Sequence, residues 1–404
     1  MTEPTHAVEG KTSYLIFRLR TPEKRRRAFI CVGATLIAVA IIAFLPRQRF
    51  AAATFLLAGV AYFSILASQA RGRWRDILLL VAALFVVPAI GEVIFAAITT
   101  PPPPFAHYST NIESQPPMLG YALAPSKTAH VVKVTADGRP VFDTTYTIDE
   151  HGLRRTESNP DGPTVAFFFD SMTFGEGVED SQTLPQQFSD LTGRRYRVLN
   201  FGVPGYGPQA MLRTLETGYH DDLLGRPALF VIQTAAWHAE RAACRPTFVW
   251  RTPRYALVDG KAVFQGRCAE GFTLWASLKL HQSYLYERVI RPQLIDQQHD
   301  LDLYLAEMRG ILQLITQKYG SRAIILCYPS KSDQFAGTTY TNDKIIEAFR
   351  DSGATVIDLS QTDKGIDGMA IPGDGHPTAK AHRLHAALLR DAIADTAAIK
   401  SDRQ

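Results

Sequence analysis

The sequence contains few of the residues and motifs on which several common chemistries depend. Only four of its 404 residues are cysteine, and it has no Cys-x-x-Cys pair, His-Glu-x-x-His motif or Walker A loop. The eleven histidines lack the spacing of metal ligands. On the predicted last helix, His382 and His385 are expected on a solvated face. We therefore expect no bound metal.

Signals for nucleotide and nucleic-acid binding are also missing. Gly175 and Gly177 follow an apolar strand, but the third glycine of a dinucleotide-binding loop does not follow, so no cofactor is expected. Residues 1–76 carry a balance of +8, so the remainder carries −4 of the net +4. That remainder has no basic stripe interleaved with aromatic residues, which argues against a nucleic-acid partner.

Three long apolar runs lie near the N-terminus, over residues 28–45, 51–70 and 77–98. Each is about long enough to cross a bilayer, for which about 20 residues suffice. The sequence therefore predicts three transmembrane helices within residues 28–98, preceded by a basic tail over residues 1–27.

Charge placement predicts the orientation of these helices. Basic residues are dense before the first run and between the second and third, and basic flanks stay on the cytoplasmic side. The N-terminus is thus expected inside and the chain after residue 98 outside. Glu92 falls within the third run. It is either a functional group or a structural one that pairs with a neighbouring helix or reaches the interface, and we favour the structural interpretation.

Residues 99–160 are predicted to form a spacer and a small β lead-in. Pro101 to Pro104 give a stiff, extended start. Alternating runs on either side of Asp137-Gly138 are typical of a hairpin.

Residues 161–396 alternate apolar strands with helical stretches. This order predicts an α/β domain with a parallel sheet of about five strands covered on both faces, followed by a tail over residues 397–404. The predicted strands are 164–169, 196–201, 228–234, 322–328 and 354–359. The predicted helices lie near 183–192, 207–219, 301–319, 341–350 and 377–395.

An insertion at about 240–300 interrupts this alternation. Cys244 and Cys268 flank a predicted hairpin within it. In an oxidising outer compartment these two could form a disulfide that stabilises the insertion by roughly 3 kcal/mol. Pairing cannot be deduced from sequence, so the bond is a hypothesis. Cys31 and Cys327 are expected to be free.

Ser171 follows the strand 164–169, and Asp374 and His376 lie together near the C-terminus. A serine hydroxyl becomes a nucleophile when an imidazole takes its proton and a carboxylate orients the imidazole. Taken alone, Ser171 is better explained as a helix N-cap or turn serine. Together the three residues predict a Ser-His-Asp triad.

Three motifs resemble those of the SGNH/GDSL hydrolase family: FDSMTFGEGV, Asn200-Phe201-Gly202 followed by VPGYG, and DGHPTAKAHR. The similarity spans roughly residues 160–395. It implies a flavodoxin-like, three-layer fold and a serine esterase. It further implies that Ser171 attacks, that His376 and Asp374 serve it, and that backbone N–H groups of Ser171 and Gly202 bind the oxyanion.

The sequence departs from the family pattern at two positions. Phe169 stands where the serine motif has glycine, and the asparagine expected after strand 228–234 is replaced in the stretch Ala235 to Arg241. That asparagine supplies an oxyanion donor, and losing such a donor costs about 10²- to 10³-fold in rate. His238 is a candidate replacement, or a histidine with only local hydrogen bonds.

Membrane-anchored bacterial members of this family often act on acetyl groups of cell-surface polysaccharide. The resemblance thus implies an inner-membrane protein with a periplasmic catalytic domain, acting on an acylated glycan or a small ester beside polysaccharide-modification machinery. Two alternatives stay open. One is an O-acyltransferase on the same glycans, and the other is a catalytically silent glycan-binding or assembly subunit.

Overall fold

The computed structural model describes Glu23, Arg27 and residues 51–99, 106–135 and 137–401. The chain divides into two compact units. The first comprises residues 1–100 with 276–294, and the second comprises residues 101–275 with 295–404. The predicted span 28–45 lies outside the described residues.

The helices and strands have the following bounds. The helices are α1 (Ala51–Gln69), α2 (Arg73–Ile98), α3 (Ser171–Phe174), α4 (Leu184–Leu191), α5 (Pro208–Thr217), α6 (Asp221–Leu224), α7 (Ala239–Ala242), α8 (Gly271–Leu280), α9 (Gln297–Gln317), α10 (Asn342–Asp351), α11 (Leu359–Thr362) and α12 (Ala379–Ser401). The strands are β1 (Ala106–Tyr108), β2 (Glu113–Ser114), β3 (Ala122–Leu123), β4 (Lys127–Val134), β5 (Pro140–Ile148), β6 (Thr164–Phe169), β7 (Arg197–Gly202), β8 (Leu229–Thr234), β9 (Pro253–Val258), β10 (Lys261–Arg267), β11 (Ala323–Cys327) and β12 (Thr355–Asp358).

In the first unit, α1 and α2 pack against each other. Gly59 lets the helices approach closely, because a Cβ atom there would lie 2.7 Å from the Phe85 ring. The mean hydropathy of the two helices is 1.8 and 2.7, and both are long and apolar enough to cross a membrane. They coincide with the second and third predicted spans.

The second unit is built on a five-stranded parallel sheet of order β12-β11-β8-β6-β7. Each strand lies within one residue of its predicted bounds. The predicted α/β class is confirmed. In this order β6 lies between β8 and β7. The carboxyl end of β6 is therefore flanked by a strand on each side.

Helices cover both faces of this sheet because neighbouring side chains of each strand point to opposite faces. Phe168 packs with residues of α5, α9 and α10, including Met211 and Tyr304. Phe167 packs with residues of α4 and α12, including Phe188 and Leu389. The result is a three-layer domain.

His382 and His385 do not lie on a solvated face. Both are fully buried on α12, so this expectation was wrong. The reason is that α12 turns them toward the protein interior, where Asp363 partners His385, with Nε2 lying 2.9 Å from a carboxylate oxygen. Burial lowers the pKa of His382 to about 3, so its ring is neutral in the folded protein.

The lead-in forms a small antiparallel sheet of order β1-β4-β5, with β4 and β5 joined as the predicted hairpin. A buried residue just after this sheet, Arg154, connects it to the segment that follows the serine. Its guanidinium donates to Asp180 Oδ1 at 2.6 Å and to the Val178 carbonyl at 2.9 Å. It also lies 4.2 Å from the centre of the Tyr146 ring.

The insertion contributes to both units. β9 and β10 form a hairpin that turns at Asp259-Gly260, as expected. A disulfide joins Cys244 and Cys268 beside it, with 5.6 Å between the Cα atoms. Residues 276–294 belong instead to the first unit. Cys327 is a buried free thiol.

Candidate active site

Ser171 begins the short helix α3 at the carboxyl end of β6. Asp170 caps this helix by accepting a hydrogen bond from the Met172 N–H at 3.0 Å. Gly175 ends it with a φ of +83°, a conformation that favours glycine. The turn therefore holds Ser171, whose exposure is 5%, at the sheet edge where open α/β folds bind ligands.

Phe169, the residue that replaces the family's glycine, has an unusual backbone conformation. Its φ is +144°, a region that side-chain-bearing residues rarely adopt. Its side chain is fully buried, and its ring lies 4.6 Å from the His238 ring, edge to face. Burial of the ring thus accompanies a strained backbone directly before the turn over residues 170–175, which carries Ser171.

Replacing Phe169 by alanine or glycine should separate the packing from the strain. Both variants lose the buried ring, at a cost of about 3–5 kcal/mol. In an ordinary strand glycine is less stable than alanine by about 0.5–1 kcal/mol. Because of the positive φ, we expect Phe169→Gly to be the more stable of the two in urea unfolding. If Phe169→Ala were more stable, this backbone would carry no strain.

Gly202, the predicted oxyanion residue, ends β7 beside β6. A Cβ atom there would lie 2.2 Å from the Phe174 nitrogen, so glycine lets the turn that carries Ser171 pass over the strand end. Its own N–H donates to Asn200 Oδ1 at 2.9 Å. Its role as an oxyanion donor stays a prediction. That role requires the Gly202 N–H to leave Asn200 Oδ1 and donate to the oxyanion instead.

The loop before α12 brings the other two predicted residues to Ser171. His376 Nε2 lies 2.8 Å from Ser171 Oγ, and His376 Nδ1 lies 2.5 Å from Asp374 Oδ2. Asp374 Oδ2 also accepts the His376 backbone N–H at 3.2 Å. The carboxylate side chain is fully shielded from solvent, and the imidazole is 17% exposed. Residues separated by 205 positions therefore form one hydrogen-bonded array.

Two residues that the sequence analysis missed complete the surroundings of the array. Lys133, near the end of β4, contacts Asp374 Oδ1 with its ammonium group and is 17% exposed. Glu176, in the loop after α3, places Oε2 at 3.7 Å from His376 Nε2. His376 thus lies between two carboxylates, one of which is paired with a lysine.

These contacts set the charge states of the site. Burial alone would raise the pKa of Asp374, but hydrogen bonds and opposite charges from His376 and Lys133 hold it well below its usual range. Burial would lower the pKa of His376, but Asp374 and Glu176 outweigh it and the net shift is upward. Asp374 is therefore ionised, and His376 gains a proton more readily than a free histidine.

This upward shift predicts the pH dependence of any reaction that uses His376 as a base. A base must be unprotonated, so kcat/KM should rise with pH and reach half its maximum above about 6.5, the ordinary histidine value. Initial rates of ester hydrolysis between about pH 5 and 9 measure this midpoint. Glu176→Gln should lower it by removing a negative charge. A midpoint below 6.5 in the unaltered protein would contradict the assignment.

Lys133 should affect the rate rather than substrate binding. We expect Lys133→Met to lower kcat about tenfold with little change in KM, because Asp374 loses the partner that fixes its orientation. Losing a positive charge near the imidazole should also raise the midpoint of the pH profile. Lys133→Arg should retain most of the rate, and Lys127→Met, at the exposed start of the same strand, should behave like the unaltered protein. An unchanged kcat in Lys133→Met would refute this role.

His238 lies in a buried network around Asp170. Its Nε2 is 2.9 Å from Asp170 Oδ2, and its Nδ1 accepts the Ala235 N–H at 3.1 Å. Arg241 donates to the same Asp170 oxygen at 2.7 Å. Burial and Arg241 lower the pKa of His238, so a neutral ring donates its one N–H to Asp170. The structure thus directs that N–H to Asp170, and a role as oxyanion donor stays a prediction.

Three of the site's groups also lie close enough to share a metal ion. The ligand atoms of Glu176, Asp374 and His376 are within 4.8 Å of one another. However, Asp374 is already paired with Lys133 and His376 with Ser171. A cation would compete with that ammonium group, so the contacts fit a proton-transfer array better than a metal site.

The fold and the site together define the class of this chain: a three-layer α/β protein with a Ser-His-Asp array at the carboxyl edge of a parallel sheet.

The chain matches no protein-family profile and no curated protein. Similar solved structures include TesA, at 15% identity over 56% of this chain and 96% of that one, with a TM-score of 0.33. AlinE4, an SGNH-hydrolase family esterase, has 13% identity over 59% and 98%, with a TM-score of 0.34. A lipolytic G-D-S-L family protein from Veillonella parvula has 14% identity over 56% and 95%, with a TM-score of 0.34.

Proposed function

We propose that this chain is a membrane-anchored periplasmic serine esterase of the SGNH type, acting on O-acetyl esters of cell-surface polysaccharide. One observation carries the proposal: Ser171 Oγ, His376 Nε2, His376 Nδ1 and Asp374 Oδ2 form a continuous hydrogen-bonded array. A serine that only capped a helix would need neither His376 nor Asp374. An ionised carboxylate behind the imidazole supplies what a hydroxyl nucleophile requires.

The reaction follows from this geometry. Ser171 Oγ attacks the ester carbonyl carbon while His376 Nε2 takes its proton. Asp374 holds the imidazole with Nδ1 protonated and stabilises the imidazolium. His376 then returns the proton to the departing sugar oxygen, leaving an acetyl-enzyme. A water molecule then gives a proton to His376 and attacks the acetyl carbon. The bond from that carbon to Ser171 Oγ breaks, His376 passes the proton to Ser171 Oγ, and acetate leaves.

Backbone N–H groups of Ser171 and Gly202 are the proposed oxyanion donors. The Gly202 N–H gives up its hydrogen bond to Asn200 as the oxyanion forms, because a charged acceptor is stronger than an amide oxygen. With the family's asparagine absent, we expect a slower esterase than a site with three donors.

A cavity of about 340 Å³, which none of the three triad residues lines, is the proposed place for part of a glycan. Tyr108, Tyr121 and Val203 are among its lining residues. The Val203 N–H donates to the Phe169 carbonyl, so the cavity wall is joined to the strand that ends at the nucleophile turn. Tyrosine rings offer sugars an apolar face, which suits a polysaccharide substrate.

The anchor and the location rest on the apolar helices and on charge. α1 and α2 are each long enough to span a bilayer, and the basic residues lie on their predicted cytoplasmic flanks. This arrangement supports a triad outside the cytoplasm, in a compartment where a Cys244–Cys268 bond persists.

The test uses the full-length protein in detergent, first with a fluorophosphonate and then with an acetylated polysaccharide. We expect one phosphonate adduct, on Ser171, and release of free acetate. If acetyl groups instead move to an added unacetylated oligosaccharide, the acyltransferase alternative is correct. If neither an adduct nor acetate forms while the protein is folded, the silent glycan-binding subunit is correct.

A further inference from the structure

Glu92 is a buried carboxylate in an otherwise apolar helix. It lies in α2, and its exposure is 2%. Its neighbours on that helix are apolar and exposed, with Val93 at 42%, Ile94 at 52% and Ile98 at 70%. A charge in such a helix needs partners, because burying an unpaired carboxylate costs several kcal/mol.

The partners come from residues 276–294 of the insertion, which belong to the same unit as α2. The Tyr284 N–H donates to Glu92 Oε2 at 3.0 Å, and the Leu285 N–H donates to Oε1 at 3.1 Å. The Ser283 hydroxyl also donates to Oε1. A helical turn over Tyr286–Ile290 starts directly after these donors. Glu92 therefore binds the N–H groups that a helix start leaves unpaired.

This contact fixes the depth of the segment relative to α2. Glu92 lies six residues before Ile98, the end of the helix, which corresponds to about 9 Å along its axis. The hydrocarbon core of a bilayer is about 30 Å thick. If α2 spans it, Glu92 and the backbone of residues 283–285 lie inside its outer half.

The surface of the segment suits that environment. Five of its side chains are large, apolar and at least 45% exposed: Leu278, Leu280, Val289, Ile290 and Leu294. Glu287 accepts from Arg291 at 2.8 Å and also contacts His281, whereas Arg288 is exposed. The long side chain of an arginine can carry its charge from such a depth to the headgroups. Backbone groups in hydrocarbon must be bonded within the protein, and Glu92 meets that requirement where the helical turn begins.

We propose that residues 276–294 are embedded in the outer leaflet of the membrane, with their apolar side chains against lipid acyl chains and Glu92 as their internal anchor. The segment is then an additional membrane element that the chain enters and leaves from the same side. This proposal shares only the membrane anchor with the proposed function and does not depend on esterase activity.

Depth measurements on the full chain in lipid nanodiscs test the proposal. A nitroxide label is placed singly at Ile290, at Val87 on α2, or at Val258 in the β9–β10 hairpin, with Cys31 and Cys327 replaced. We expect the Ile290 label, like the Val87 label, to be relaxed by oxygen and shielded from a water-soluble nickel complex. The Val258 label should show the opposite. An Ile290 label as accessible to nickel as the Val258 label would overturn the proposal.

Hydrogen exchange tests the role of Glu92. In nanodiscs the amides of Tyr284 and Leu285 should exchange slowly, and Glu92→Leu should accelerate them at least tenfold because both lose their acceptor. Glu92→Gln keeps an acceptor oxygen and should accelerate them less. The Val87 label reports whether each variant still inserts. Unchanged exchange in an inserted Glu92→Leu variant would refute the anchor.

Discussion

Replacing Ser171 by alanine should lower kcat for hydrolysis of a small chromogenic acetate ester by about 10³- to 10⁴-fold. In a serine hydrolase with a complete oxyanion hole, losing the nucleophile costs about 10⁶-fold. The absent asparagine removes an oxyanion donor worth about 10²- to 10³-fold, so the rate of the unaltered protein is lower than that of an enzyme with a complete oxyanion hole. The measurable fall is correspondingly smaller.

The matched controls for this prediction are two nearby residues outside the array. Ser181→Ala changes an exposed serine and His151→Ala an exposed histidine, and neither should alter kcat. His376→Ala should reduce the rate about as far as Ser171→Ala. The double variant should be no slower than either, because residues that act as one unit are not additive. If Ser171→Ala kept more than a tenth of the activity, another nucleophile would be responsible.

Most of the fold could be predicted from the sequence because its signals are local. The runs of β6 and β8 are continuous apolar stretches between polar turns, which is how strands covered on both faces appear in a sequence. His382 and His385 were misplaced because a helix with mixed polarity does not show which face packs inward. Only the tertiary structure supplies Asp363 as a buried partner.

The site was partly predictable for the same reason. Ser171, Asp374 and His376 each stand in a short motif. Lys133 does not, and its partner Asp374 is 241 residues away in the chain. One signal was present but did not single out Lys133: in β4 it has the same parity as the buried residues Ala129 and Val131, and Lys127 at the exposed start of the strand shares that parity. A lysine on the buried face of an alternating strand indicates a charged partner.

The contact of residues 276–294 with Glu92 had no comparable signal. Glu92 could be recognised as unusual within an apolar run. Its partners are two backbone N–H groups and one serine hydroxyl, almost 200 residues further on. Backbone donors are present at nearly every position, so the sequence cannot indicate which of them a carboxylate will bind.

Asp374→Asn should lower kcat about a thousandfold with little change in the fold, because asparagine has the same shape but different hydrogen bonding. In the native array Asp374 Oδ1 contacts Lys133 and Oδ2 accepts the Nδ1 proton of His376. The lysine and the His376 backbone N–H, 3.2 Å from Oδ2, both donate only, so they compete for the amide oxygen of asparagine. The charged lysine is the stronger donor and should hold that oxygen toward itself. The amide NH₂ group then faces Nδ1 and forces the imidazole proton onto Nε2. A protonated Nε2 can no longer accept the Ser171 proton.

This explanation predicts an unusual interaction between two substitutions. In the native background Lys133→Met should lower kcat, whereas in the Asp374→Asn background it should raise kcat about tenfold. Without the ammonium group the amide can rotate, present its oxygen to Nδ1 and restore the productive tautomer. Rates of ester hydrolysis for the four proteins of this cycle, with thermal unfolding as a check of the fold, measure the effect. If the double variant is as slow as Asp374→Asn or slower, Lys133 does not control the orientation of residue 374, and its contact with Asp374 serves stability alone.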